Sequence, residues 1–188
     1  MNSVEKPALR ADARRNRARV LAAAEAAFAD EGPAVPLDEI ARRAGVGAGT
    51  VYRHFPSKEA LFAAVVLDRI DQLAQQARAR LAEDGDPGET FFAFFATVAE
   101  QAVLNKALCD ALEDSATLKS KAPESDFRAA FGELLTRAQR AGAVRRDIGV
   151  ADVSALLAGY LALERQSPPD RHLGHILTDG LRAPESRT

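Results

Sequence analysis

The chain has 188 residues, 47% of them hydrophobic and 28% charged, and a formal net charge of −2 with one cysteine, Cys109. That balance suits a globular protein with a real core and excludes a bulk polycation that coats nucleic acid; the single cysteine excludes an intramolecular disulfide and a cysteine-built zinc cluster. The charged N-terminus lacks the apolar segment of a secretory signal, and the longest apolar runs, such as 60–67, fall short of the roughly 18 residues of a membrane span, so a soluble cytoplasmic protein is expected.

Helical spacing recurs almost everywhere, and no run of alternating β-branched residues interrupts it. The first helix is predicted over residues 13–31, with Val20, Leu21, Ala24, Ala27 and Phe28 inward and Gly32-Pro33 as its stop. A short second helix covers 37–44 with Ile40 and Ala41 inward. Gly45-Val46-Gly47 turns the chain into a third helix over 48–55, which Pro56 ends. Ser57 caps a fourth helix reaching residue 83, whose stripe is Phe62, Val66, Ile70, Leu73, Ala77 and Leu81.

After a loop at 84–88, residues 89–104 form a helix apolar over a wide arc, with Phe91, Phe94, Phe95 and Val98 on one face and Phe92 on another. A short helix at 106–114, a loop at 115–124 and a helix at 125–141 follow. Helices at 150–166 and 170–181 close the chain, giving about nine helices, no sheet and an all-α fold. The domains read as a DNA-binding head at 10–56 (motif 37–55), a helical body at 57–182, and disordered tails at 1–9 and 183–188.

The stretch LDEIARRAGVGAGTVYRHFPSK, residues 37–58, carries the most chemistry. Two short helices joined by a glycine turn are how a small protein places one helix in a DNA major groove. Ala48, Gly49 and Thr50 are small enough for close approach to base edges, Val51 and Phe55 anchor the helix, and Tyr52, Arg53, His54 and Lys58 offer donors to phosphate. Lys58 and Ser57 also stand at the next helix's N-terminus, which favours an anion. Residues 1–20 carry a net +4 against −6 for the remainder, and Arg14, Arg15 and Arg17 open the first helix as a basic arm toward backbone or minor groove.

With those residues in view, RNRARVLAAAEAAFADEG at 15–32 and GTVYRHFPSKEALF at 49–62 closely resemble the TetR family of bacterial transcriptional regulators. The likeness runs from Arg14 to about Val66, roughly the first third of the chain; the rest agrees in helix number and length only. The resemblance implies a homodimer that binds a palindromic double-stranded operator, usually as a repressor, and releases it on binding a small-molecule effector. It implies phosphate contacts for Tyr52 and Lys58, groove-facing positions at Gly47, Ala48, Thr50 and His54, and Leu37 opening the second helix near the backbone. Gly47 and Pro36 depart from the family's usual Ser or Thr before these helices, which removes two hydroxyls and leaves Arg53 to carry more of the recognition.

In the body, Phe91, Phe92, Phe95, Phe127 and Phe131 are candidates for an effector pocket, with ordinary core packing as the alternative for each. Val153, Leu157, Tyr160, Leu161, Leu173, Ile176 and Leu177, on the last two helices, are the candidate dimer interface. His172 and His175 lack the further ligands of a metal site, and no catalytic motif, cofactor or metal is expected. A helical protein-interaction module without DNA binding and a small-molecule-modifying enzyme are the alternative functions.

Overall fold

The computed structural model describes residues 5–32, 34–110, 126–164 and 173–184. Among them are eight helices: α1 (Glu5–Glu31), α2 (Leu37–Ala44), α3 (Ala48–His54), α4 (Lys58–Ala82), α5 (Pro87–Asp110), α6 (Asp126–Arg140), α7 (Val150–Glu164) and α8 (Leu173–Leu181). There is no strand among the described residues. An isolated antiparallel bridge between Val144 and Arg182 ties the turn after α6 to the chain beyond α8, through Arg145 N–H to Leu181 O at 3.1 Å and Ala183 N–H to Ala143 O at 3.1 Å.

Most boundaries follow local chemistry. Gly32 and Gly45 take positive φ directly after α1 and α2, and Gly142 two residues beyond α6, where a left-handed residue lets the last carbonyls find donors. Ser57 Oγ accepts the N–H of Ala60 at 3.2 Å and Asp86 Oδ1 that of Glu89 at 2.8 Å, capping α4 and α5. Two boundaries differ from expectation. Helix α1 begins at Glu5 rather than near residue 13, because Pro7 lies in its first turn, where a missing N–H loses no bond. Helix α5 runs unbroken to Asp110, since no glycine or proline lies between 89 and 110 to stop it; the rest of the expected 106–114 helix is outside the described residues.

The chain divides into two compact units, with α4 contributing its residues through Arg69 to the first and those from Ile70 to the second. In the first unit Val20, Leu21, Ala24, Ala27 and Phe28 of α1, Ile40 of α2, Val51 of α3 and Leu61 and Phe62 of α4 are buried, with the Phe28 and Phe62 rings 5.5 Å apart. In the second, Leu73, Ala77, Phe91, Phe94, Phe95, Phe131, Leu134, Val153 and Leu181 form one apolar core. Among the described residues no helix is long and apolar enough to cross a membrane.

Candidate nucleic-acid interface

The α2–α3 corner is built from the spacing of its apolar residues. Leu37, Ile40, Ala41 and Ala44 put one face of α2 into the core. At Gly45 (φ 62°, ψ 39°) the chain turns left-handed, and the N–H groups of Gly45 and Val46 close back on the carbonyls of Arg42 and Ala41, both at 3.1 Å. Neither Pro36 before α2 nor Gly47 before α3 supplies a side-chain cap. Val51 and Phe55, four residues apart, are both buried and pin α3 from beneath.

The opposite side of α3 is open. Gly47, Ala48, Gly49, Arg53 and His54 are exposed, Thr50 is half-buried, and Tyr52 is 49% exposed despite its size. A Cβ added at Gly47 or Gly49 would meet nothing within 4 Å. Lys58, half-buried at the start of α4, donates to Ala34 O at 3.0 Å, and its ammonium keeps two further hydrogens. Leu37 is buried at the start of α2, a helix whose first N–H groups have no partner within the helix.

The basic residues of α1 take different directions. Arg14 is exposed, and Arg15 pairs with Asp12. Arg17 lies 4.0 Å from Asp68 on α4, with its guanidinium 5.8 Å from the centre of the Phe55 ring. Arg19, whose role is not legible in its sequence neighbourhood, donates to Gly45 O at 3.2 Å and so clamps the helix-turn-helix corner to α1. On α2, Glu39 accepts from both Arg42 (2.7 and 2.8 Å) and Arg43 (2.7 Å), and these guanidiniums hold its carboxyl down to about 2. Arg43 also reaches Glu31.

In the second unit Phe91, Phe95 and Phe131 are buried against one another, with Phe91–Phe131 centroids 5.9 Å apart and Phe91–Phe95 6.1 Å. Phe127 stacks on Phe131 at 5.6 Å. Phe92 meets the Phe91 ring edge-on, 5.4 Å between centroids, but is only half-buried: Arg182 covers its ring at 4.6 Å beside a groove of about 560 Å³ that also touches Asp86 and Ala143. Phe95 borders a separate recess of about 260 Å³ with Tyr160, His175 and Thr178. The five candidate rings thus do not line one space among the described residues.

Of the candidate interface residues, Val153 faces its own core, while Leu157 and Leu177 pack at its edge. Ile176 is 67% exposed, and Leu156, not among those candidates, is 44% exposed. Both line a shallow groove of about 660 Å³ with Ile148, Tyr160 and Leu177. The side chains of Leu161 and Leu173, together with His172, lie outside the described residues.

Comparison with known proteins agrees with this architecture. Residues 20–65 match the model for bacterial regulatory proteins of the tetR family, and residues 86–183 match the SbtR-like C-terminal domain of transcriptional regulators. A TetR transcription regulatory protein from Mycobacterium vanbaalenii is 49% identical, covering 93% of this chain and 99% of its own, with a TM-score of 0.72. The TetR transcriptional regulator SCO0520 from Streptomyces coelicolor is 32% identical over 89% of this chain and 98% of its own, with a TM-score of 0.69. An uncharacterized HTH-type transcriptional regulator of Mycobacterium tuberculosis, MT1294, is 34% identical over 91 residues, 48% of this chain; the match spans less than half, 45%, of that relative. The HTH-type transcriptional activator FasR of Mycolicibacterium smegmatis is 42% identical over 66 residues, 35% of this chain and 30% of its own. An exposed, inwardly anchored α3, in a chain matched by both halves of one regulator architecture, makes this a DNA-binding transcription regulator belonging to the TetR family.

Proposed function

We propose that this chain is a cytoplasmic one-component repressor that binds a palindromic operator as a homodimer and lets go when a small-molecule effector binds. The observation that carries the reading is α3 itself: Val51 and Phe55 fix it from below while its outer face presents only small, phenolic and cationic groups. The head spans 10–56 and the body 57–182. Gly47, Ala48, Thr50 and His54 meet the groove, Tyr52, Lys58 and the backbone at Leu37 meet phosphates, and Arg14 and Arg15 extend the cationic edge. Arg17 contributes through its hold on Phe55 and Asp68. The reading calls for no cofactor, metal or catalytic step.

Exposed Leu156 and Ile176, with Leu157, Tyr160 and Leu177, form the face that a second copy covers, because exposed apolar side chains grouped in this way favour a partner over water. Val153 seats α7 on its own core. Two-fold symmetry then offers two α3 helices about 34 Å or somewhat more apart. Effector binding among the phenylalanines of α5 and α6 is supported by Gln101, on the Phe94–Val98 face of α5, whose amide oxygen is buried without a partner among the described residues and would accept a ligand donor. Helix α4 is continuous from the Lys58 corner to Ala82, so rotating its far half changes the separation of the heads. Coupling of about 1–3 kcal/mol is typical of such switches, and nearly complete release needs about 5.5 kcal/mol. The match to an activator covers only 66 residues, 35% of this chain and 30% of that relative, and does not set the sign of regulation.

The test is a gel shift of genomic fragments by the purified full chain at about 0.15 M salt, with mass determination in solution. Selective retention of a few fragments by a dimeric species is expected. A strictly monomeric protein with no preference for any duplex, even at low salt, overturns the proposal.

A further inference from the structure

We propose that Arg53 sets the operator specificity by reading a guanine in the major groove, and that Gly49 is the clearing that lets it do so. The inference rests on the DNA-binding reading of α3 given above. At about 100° per residue, Gly49 and Arg53 each fall within about 20° of the line opposite buried Val51. They therefore form the crown of the exposed ridge, flanked by Thr50 on one side and Tyr52 on the other.

The two residues are four apart, so they are neighbours one turn from each other. Side chains on a helix lean toward its N-terminus and cover the turn before their own Cα. The turn toward which Arg53 leans is thus that of Gly49, where no other side chain stands within 4 Å of the place a Cβ would take, so the space is open to the guanidinium and to a base edge. Arg53 is exposed and, among the described residues, makes no ion pair or hydrogen bond, unlike Arg15, Arg17, Arg19, Arg42 and Arg43. Its guanidinium is the one fork of donors on the crown. Of the four bases, guanine presents two acceptors, O6 and N7, that match a guanidinium fork in the major groove. The small Gly47, Ala48 and Gly49 leave the approach to base edges to that single long side chain.

The experiment is selection from a randomised duplex pool by the full-length wild type, Arg53→Gln and Gly49→Leu, with anisotropy titrations on the enriched site and folding checked by circular dichroism. Wild type should enrich one guanine per half-site. Arg53→Gln should exchange that guanine for adenine with the remaining positions unchanged, and weaken the wild-type site by about 10- to 100-fold. Gly49→Leu, which fills the clearing and leaves Arg53 in place, should bind duplex with the guanine preference lost. An enriched site whose sequence is the same for all three proteins, with Arg53→Gln weaker on every duplex alike, puts Arg53 on phosphate and overturns the inference while leaving the operator-binding reading intact. If wild type enriches no sequence, that underlying reading fails and this inference with it.

Discussion

Gly45 and Gly49 stand four residues apart in the same motif, and replacing each with alanine should change stability in opposite directions. At Gly45, φ is 62° and ψ 39°, a conformation that costs an L-residue about 1–2 kcal/mol. The added Cβ would also lie 2.5 Å from the Nη2 of Arg19, displacing the guanidinium from Gly45 O and losing a hydrogen bond worth about 0.5–1 kcal/mol at this exposed site. Alanine recovers about 0.4–1 kcal/mol by restricting the unfolded chain. The net is a loss of about 1–2 kcal/mol for Gly45→Ala. Gly49 has helical geometry and open surroundings, so Gly49→Ala should gain about 0.4–1 kcal/mol. The two variants should differ by about 2 kcal/mol, or about 4–8 °C in melting temperature for a chain of this size. Thermal and denaturant unfolding at matched protein concentration measure this. Arg19→Ala in both backgrounds completes a cycle in which losing the guanidinium costs about 0.5–1 kcal/mol less once Gly45 is alanine. A Gly45→Ala protein as stable as wild type, with additive Arg19→Ala, would refute both the left-handed corner and its clamp.

Three further outcomes follow from the same geometry. Lys58→Ala should weaken all duplexes alike and lower the salt slope of binding by about 0.9, measured by anisotropy across a salt series; an unchanged slope removes Lys58 from the phosphate contacts. Phe131→Ala should cost about 3–5 kcal/mol in denaturant unfolding, because its buried ring meets Phe91, Phe94 and Phe127, whereas half-buried Phe92→Ala should cost much less; equal losses would contradict the packing. Glu39 is lowered from 4.5 to about 2 by Arg42 and Arg43, so its stabilisation is complete above pH 4.5 and lost as pH falls through about 2. The melting-temperature gap between wild type and Glu39→Gln should therefore be steady from about pH 7 to 5 and close below 4.5; a gap independent of pH argues against the pairing.

Elements were legible in the sequence wherever one residue type answers one local demand. Ser57 and the glycines at 32, 45 and 142 marked helix ends because caps and left-handed turns have few acceptable occupants. Val51 and Phe55 declared their side of α3 by spacing alone, and the same spacing left Arg53 on the outside. The long cationic side chains were not legible in this way. Arg14, Arg15 and Arg17 read as one basic arm, yet Arg17 turns to Phe55 and Asp68, and Arg19, outside that reading, turns to Gly45. Their partners lie 26 to 51 positions away, and a flexible stem can serve any of them.

Helical class, the position of the DNA-reading corner and the inward anchors of α3 were thus determined by the chain itself, since periodicity and capping act within a few residues. Which arginines brace the corner, why Phe92 lies under Arg182 while Phe91 and Phe131 are buried, and which apolar residues of α7 and α8 stay uncovered were decided only by tertiary packing. A wide apolar arc satisfies several rotational settings of a helix equally well, and the neighbour that selects one of them comes from a distant part of the chain.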